Sequence, residues 1–162
     1  MAVAMLCCCT LSVRAQAPSV GTLAGFAGHW FCNGHFESNG AEIAGELSIE
    51  SDERSGALIV RHDDVAPGAY HALEIWMPNK EGTGLRAAIS DKYSGMRWFD
   101  SPGWVGKTLT WTRWDHGVAA ESFAYELGTD RLQVQWSVAR AGAMKLGDTL
   151  VCRREKVGRP TP

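Results

Sequence analysis

From residue 28 onward, apolar and polar residues alternate in short runs, and each run ends at Gly, Pro, Asn or Asp. No long stretch carries apolar residues at the three-and-four spacing of an amphipathic helix. Ten runs read as strands: residues 28–37, 43–51, 57–63, 70–77, 85–92, 96–101, 107–115, 118–127, 132–140 and 146–154. Between them lie turn formers such as Ser38-Asn39-Gly40, Ala66-Pro67-Gly68, Ser94-Gly95, Pro102-Gly103, His116-Gly117 and Ala141-Gly142. Short links between alternating strands predict an all-β antiparallel meander, not parallel strands joined by helices. A short helical turn is expected within residues 21–27, and residues 155–162 read as a frayed tail.

Alternation also assigns faces. Trp30, Cys32, Gly34 and Phe36 share one side of the first run. Ile43, Leu47 and Ile49 share a side, as do Leu58 and Val60, then Leu109, Trp111 and Arg113, then Leu132, Val134, Trp136 and Val138. A meander this long must protect its two edge strands, and closing into a barrel removes them.

Composition narrows the class. The chain has 162 residues, 45% hydrophobic and 21% charged, with 18 Gly and 7 Trp. That predicts one globular domain over residues 28–154 and excludes a disordered chain or a coiled coil. With 16 Lys+Arg against 18 Asp+Glu the net charge is −2, and no basic run stands out, so nucleic acid is not an expected partner.

Residues 1–17, MAVAMLCCCTLSVRAQA, read as an export signal: an uncharged run too short to span a bilayer, then small residues around Ala15-Gln16-Ala17. No Lys or Arg precedes that run. An uncut anchor and a lipoprotein signal are the alternatives. The expectation is a periplasmic or secreted chain without stable membrane insertion after cleavage, beginning with an 18–27 segment ahead of the barrel. Cleavage would remove Cys7, Cys8 and Cys9 and leave Cys32 and Cys152, which in an exported chain read as a disulfide; two buried free thiols are the alternative. If the barrel closes, the first and last strands are antiparallel neighbours. Setting Cys32 opposite Cys152 then places Trp30 opposite Arg154 on the same face, where a guanidinium can stack on the indole.

Gly28-His29-Trp30 in the first strand, a meander of eight to ten strands, and an arginine of the last strand against that tryptophan resemble the calycin superfamily of lipocalins, fatty-acid-binding proteins and nitrobindin-like barrels. The resemblance implies a roughly ten-stranded up-and-down barrel with Trp30 and Arg154 (or Arg153) as the structural pair. Nitrobindin-like barrels hold haem through a histidine near the C-terminal end of the barrel. Here all five histidines precede residue 117, so no haem ligand is carried over, and no cofactor is expected. The arginine pair and tyrosine with which fatty-acid-binding proteins hold a carboxylate are not recognisable as a motif.

Candidate chemistry is sparse. Arg113 sits on an apolar strand face with Trp111, where it must find a protein carboxylate or a bound anion. Trp136 and Tyr125, on inward-facing positions, complete the candidate ligand-binding set. His62 and Asp64 share a strand face, and the Ala66-Pro67-Gly68 turn brings His71 back toward them, a low-ranked metal set whose spacing fits no named signature. Ser94 lacks a Gly-x-Ser-x-Gly elbow, and no catalytic residue is assigned. The leading expectation is binding of a small apolar or amphipathic molecule inside the barrel. The alternatives are a structural or interaction module with a filled interior, using an outer patch of Phe31 and Trp114, and a metal-assisted or anion-directed enzyme.

Overall fold

The computed structural model describes residues 20–114 and 120–156. The expected leader, the His116-Gly117 turn and the tail beyond Lys156 lie outside the described residues. A 3-10 helix, Val20–Phe26, precedes eleven strands: β1 (Gly28–Phe36), β2 (Glu42–Asp52), β3 (Ala57–Asp64), β4 (His71–Pro78), β5 (Leu85–Asp91), β6 (Gly95–Ser101), β7 (Trp104–Val105), β8 (Thr108–Arg113), β9 (Glu121–Leu127), β10 (Arg131–Arg140) and β11 (Ala143–Arg154). All pair antiparallel with their neighbours. Ten close into a barrel, while the two-residue β7 adds a short flap on β8. The ten expected strands are all present. The extra strand β7 falls where Pro102-Gly103 and Gly106-Lys107 read as turns.

Two seams close the barrel. At the first, β1 and β11 pair over seven positions, from Trp30 opposite Arg154 to Phe36 opposite Asp148. Cys32 and Cys152 stand directly opposite and form the disulfide, which spans a sequence separation of 120. At the second, β6 and β8 pair only through Phe99 with Arg113 and Asp100 with Thr112. The tail is shorter than expected, since Glu155 donates its main-chain N–H to the His29 carbonyl at 2.8 Å.

One end of the barrel is packed solid. The Trp30, Trp76 and Trp111 side chains fill it with Phe99, Leu109 and Leu132, and the 3-10 helix caps it with Leu23 and Phe26, all fully buried. Trp30 Nε1 donates to the Phe26 carbonyl at 2.8 Å. The Arg154 guanidinium lies 4.0 Å from the Trp30 ring centre and donates to the carbonyls of Gly25 and Ala27. Arginine thus satisfies main-chain acceptors of the capping segment while its flat face covers the indole. Trp104 of β7 stacks on Phe26 at 5.3 Å, so the added strand serves the same cap.

Gly28 explains why the tryptophan is preceded by glycine two positions earlier. Its φ is +131°, and a Cβ there would sit 3.0 Å from the Arg154 guanidinium. A side chain would strain the backbone and push the arginine off the indole. Replacing Gly28 with Ala is expected to cost about 1–3 kcal/mol, read by urea unfolding. A Cys32→Ser/Cys152→Ser double variant should lose roughly 2–4 kcal/mol, and reductant should shift the wild type but leave that variant unmoved.

Candidate functional site

The other half of the barrel is hollow. Inward positions near the free ends of β1, β3, β5, β9 and β11 enclose a cavity of about 420 Å³. Phe36, Ile43, Leu47, Phe123, Val134 and Leu150 supply its apolar wall. Gly68 and Ala69 of the β3–β4 link, with Tyr93 and Ser94 of the β5–β6 link, form an exposed rim. Tyr70 stacks parallel to Tyr93 across that rim at 6.4 Å, and Tyr93 donates its hydroxyl to the Ala69 carbonyl at 3.2 Å.

Polar groups crowd the same space. Arg97 of β6 is buried between Glu121 of β9, which takes one amino nitrogen, and Asp91 of β5, which takes the other. Its second amino group also donates to the Tyr70 hydroxyl at 3.2 Å. Glu121 accepts further bonds from Trp136 Nε1 at 2.9 Å and Arg113 at 3.2 Å. Burial works against the Arg97 charge, but Glu121, Tyr70 and Asp91 more than offset it and its pKa is raised. Asp91 also caps the turn, accepting the Tyr93 and Ser94 main-chain N–H groups at 2.8 and 2.7 Å.

Three further carboxyl groups line the cavity without an Arg or Lys partner among the described residues. Glu74, 4% exposed, accepts a bond from Trp76 Nε1 at 2.8 Å, and burial raises its pKa to about 7. Asp148 is pushed by burial to about 6, against a main-chain bond from Trp136. Asp64 accepts the Tyr70 main-chain N–H at 3.3 Å. His62 stands beside it, 3.6 Å from Nε2 to Oδ1, too far for a hydrogen bond. Burial lowers the His62 pKa despite Asp64 and Asp63 nearby, so the ring is neutral, and its Nε2 is buried without a partner. Burial, then Glu74, raises the hydroxyls of both Tyr70 and Tyr125, which stay protonated.

The sequence-predicted residues divide between the two halves. Trp136 and Tyr125 line the cavity, with Tyr125 only 4% exposed. Trp111 belongs to the packed half, 5.2 Å from Trp76. Arg113 is paired with Glu121 and does not line the cavity. The metal set is not assembled. His62 and Asp64 face inward, whereas His71 stands opposite Asp63 in the β3–β4 register, shares its outward face, and bonds to it at 2.8 Å. Strand parity separates the two histidines, and no metal-holding group of three occurs among the described residues. Phe31 and Trp114 are both exposed, at 43% and 42%, but β1 and β8 are separated by β11, β10 and β9, so they form no shared patch.

Sequence reasoning missed Glu74, Arg97, Glu121 and Asp148. Parity alone could have found the first: Glu74 lies between Ala72 and Trp76 on one strand face. Asp148 likewise shares the parity of Leu150 and Cys152 on β11, just past a bulge. Trp136 pairs with Asp148 and Ser137 with Leu146, leaving Gly147 extra, and a Cβ on Gly147 would come within 2.1 Å of the Trp136 ring.

The fold is similar to that in the crystal structure of Rv2717c from M. tuberculosis, with a TM-score of 0.63 and 12% sequence identity over 88% of this chain and 100% of that chain. At such low identity the likeness is one of fold. No protein-family model matches this chain, and no curated protein matches it.

Two consequences are measurable. Folding raises the Glu74 pKa from 4.5 to about 7, so the folded state holds a proton that the unfolded chain releases. Stability should therefore fall as pH rises from about 4.5 to about 7, with Glu74 contributing about 3 kcal/mol of that loss. Glu74→Gln keeps the Trp76 acceptor and should flatten the profile, leaving the variant more stable than wild type near pH 8 in urea titrations. Glu121→Ala, by contrast, leaves Arg97 one carboxylate in place of two and takes an acceptor from Arg113 and Trp136, and should cost roughly 3–5 kcal/mol.

Proposed function

We propose that this chain is an exported, calycin-type β-barrel that binds a small amphipathic molecule in its open half, without a catalytic role. The observation that carries this reading is the 420 Å³ cavity, which lies within the size range of small-molecule sites and combines apolar walls with a few convergent polar groups. The calycin assignment draws support from the Gly28-His29-Trp30 strand, the Arg154 guanidinium on Trp30 and the single antiparallel meander. Export draws support from the residue 1–17 pattern and from a disulfide that an oxidising compartment would preserve.

A second reading, an interaction module, draws on the outer face of β4–β6, where Leu73, Met77, Met96 and Trp98 are exposed. Filling the cavity separates the two. Val134 lies in the wall, opposite Tyr125 and Leu150 on its flanking strands. Native mass spectrometry of the chain purified from its own compartment should show a bound mass that denaturation removes and that Val134→Trp abolishes. A bare polypeptide that still takes up nothing from lipid and metabolite extracts would sink the binding reading.

A further inference from the structure

The charges around the cavity do not balance. Among the described residues five carboxyl groups line it, from Asp64, Glu74, Asp91, Glu121 and Asp148, against one guanidinium. Both amino nitrogens of Arg97 are already engaged by Asp91 and Glu121, and its Nε is buried. Arg113, which bonds Glu121 from outside the lining, adds nothing that a ligand can reach. An anionic head group would therefore enter a space where, among the described residues, no free cation faces it and three acids do. Transfer of an anion into such a site is opposed by both desolvation and like charge.

Aromatic faces point the same way. Tyr70, Tyr125 and Trp136 line the cavity with Glu74 and Asp148, and the negative face of an aromatic ring attracts an ammonium or guanidinium group. The combination of uncompensated carboxyls and aromatic walls, opening onto an apolar surface of Phe36, Val134 and Leu150, has the chemistry of a site for a positively charged amphiphile. We infer that the cavity takes a cationic amphiphile, an alkylammonium whose head lies among Asp64, Glu74 and Asp148 and whose hydrocarbon lies on the apolar wall. This rests on the proposed function of the cavity as a binding site, and adds the sign of the ligand's charge.

The inference carries a pH dependence. Glu74 faces Arg97 of β6, Tyr70 of the β3–β4 link and Tyr125 of β9; Asp148 faces Asp64 of β3, Glu37 beyond β1 and Tyr125. Burial lowers the His62 pKa, which works against a competing positive charge there. A cation bound between Glu74 and Asp148 favours their ionised forms, so binding releases protons and tightens as pH rises through about 6 and about 7.

The test is calorimetric titration with three ten-carbon probes at equal sub-micellar concentration: n-decylammonium chloride, 1-decanol and sodium decanoate. Near pH 8, decylammonium should bind at least about tenfold more tightly than decanol, with decanoate weakest. That preference should shrink toward about pH 5, disappear in Glu74→Gln/Asp148→Asn, and be lost with all binding in Val134→Trp. Circular dichroism on each variant separates lost binding from lost folding, and the wild-type pH series needs no variant. Decanoate or decanol binding as tightly as decylammonium, and abolished by Val134→Trp, would overturn the charge inference while leaving the cavity as a binding site. Decylammonium binding indifferent to pH and to all three substitutions would place it elsewhere and also overturn the inference. No uptake of any probe by the folded chain would remove both readings.

Discussion

The pairing of β1 with β11 is the constraint on which the rest of this barrel depends. It joins the two ends of the meander, and its register is held covalently by Cys32 and Cys152. A shift of one residue would turn every side chain of either strand to the opposite face. The register as it stands delivers three things together: Trp30 under Arg154 at the packed end, the disulfide in the middle, and Phe36 opposite Asp148 at the rim of the cavity. The cap depends on the first, because Arg154 holds the carbonyls of Gly25 and Ala27 only from that position. With one end sealed by tryptophans and the 3-10 helix, cohesion is concentrated there and the opposite end can remain open.

The second seam is closed differently. Main-chain pairing between β6 and β8 stops at Phe99 and Arg113, and the next inward residue of β6 toward the open end is Arg97. Where the ladder runs out, side chains take over: Arg97 reaches Glu121 on β9 and Asp91 on β5, and Arg113 and Trp136 add their donors to Glu121. A buried ion pair is not a strong source of stability against an apolar replacement, since desolvation offsets the attraction. Its merit here is geometric. Several directional bonds fix β6, β8, β9 and β10 around a gap that few backbone bonds cross. They also occupy the one guanidinium that lines the cavity among the described residues, which leaves the remaining carboxyls without an Arg or Lys ion pair.

Much of the fold could be read from the sequence because its signals are local or covalent. Alternation within each run located the ten barrel strands, and the pair Cys32 and Cys152 marked the seam and its register. The inward assignments of Leu109, Trp111, Val134 and Trp136 follow from parity alone. What parity cannot supply is depth. Trp111 and Tyr125 both face inward, yet one is packed among tryptophans and the other lines open space. That difference arises from the side chains of eight other strands and from the 3-10 helix, none of which is visible within the strand itself. His71 was misplaced for a different reason: a turn brings a chain back in space, but only the register decides which face a returning residue occupies. Asp148 shares the parity of Leu150 and Cys152, so its face was legible, but its depth beside open space was not.

The division into a filled half and an acid-lined half also makes physical sense of a burial that is otherwise unfavourable. Glu74 lies immediately above Trp76 on the same strand face, where apolar packing ends and cavity space begins. Its carboxyl is removed from water by the packed half yet receives only the Trp76 indole N–H from it. A glutamine at that position would relieve the desolvation of a charge, keep an acceptor for Trp76 and suit a purely structural barrel better. The Trp76–Trp111–Phe26 cluster supplies the burial that can tolerate such a group, and the cavity supplies the space in which a positive charge can meet it. A residue that costs the fold stability at neutral pH is thus placed where a cationic ligand would return that cost as affinity.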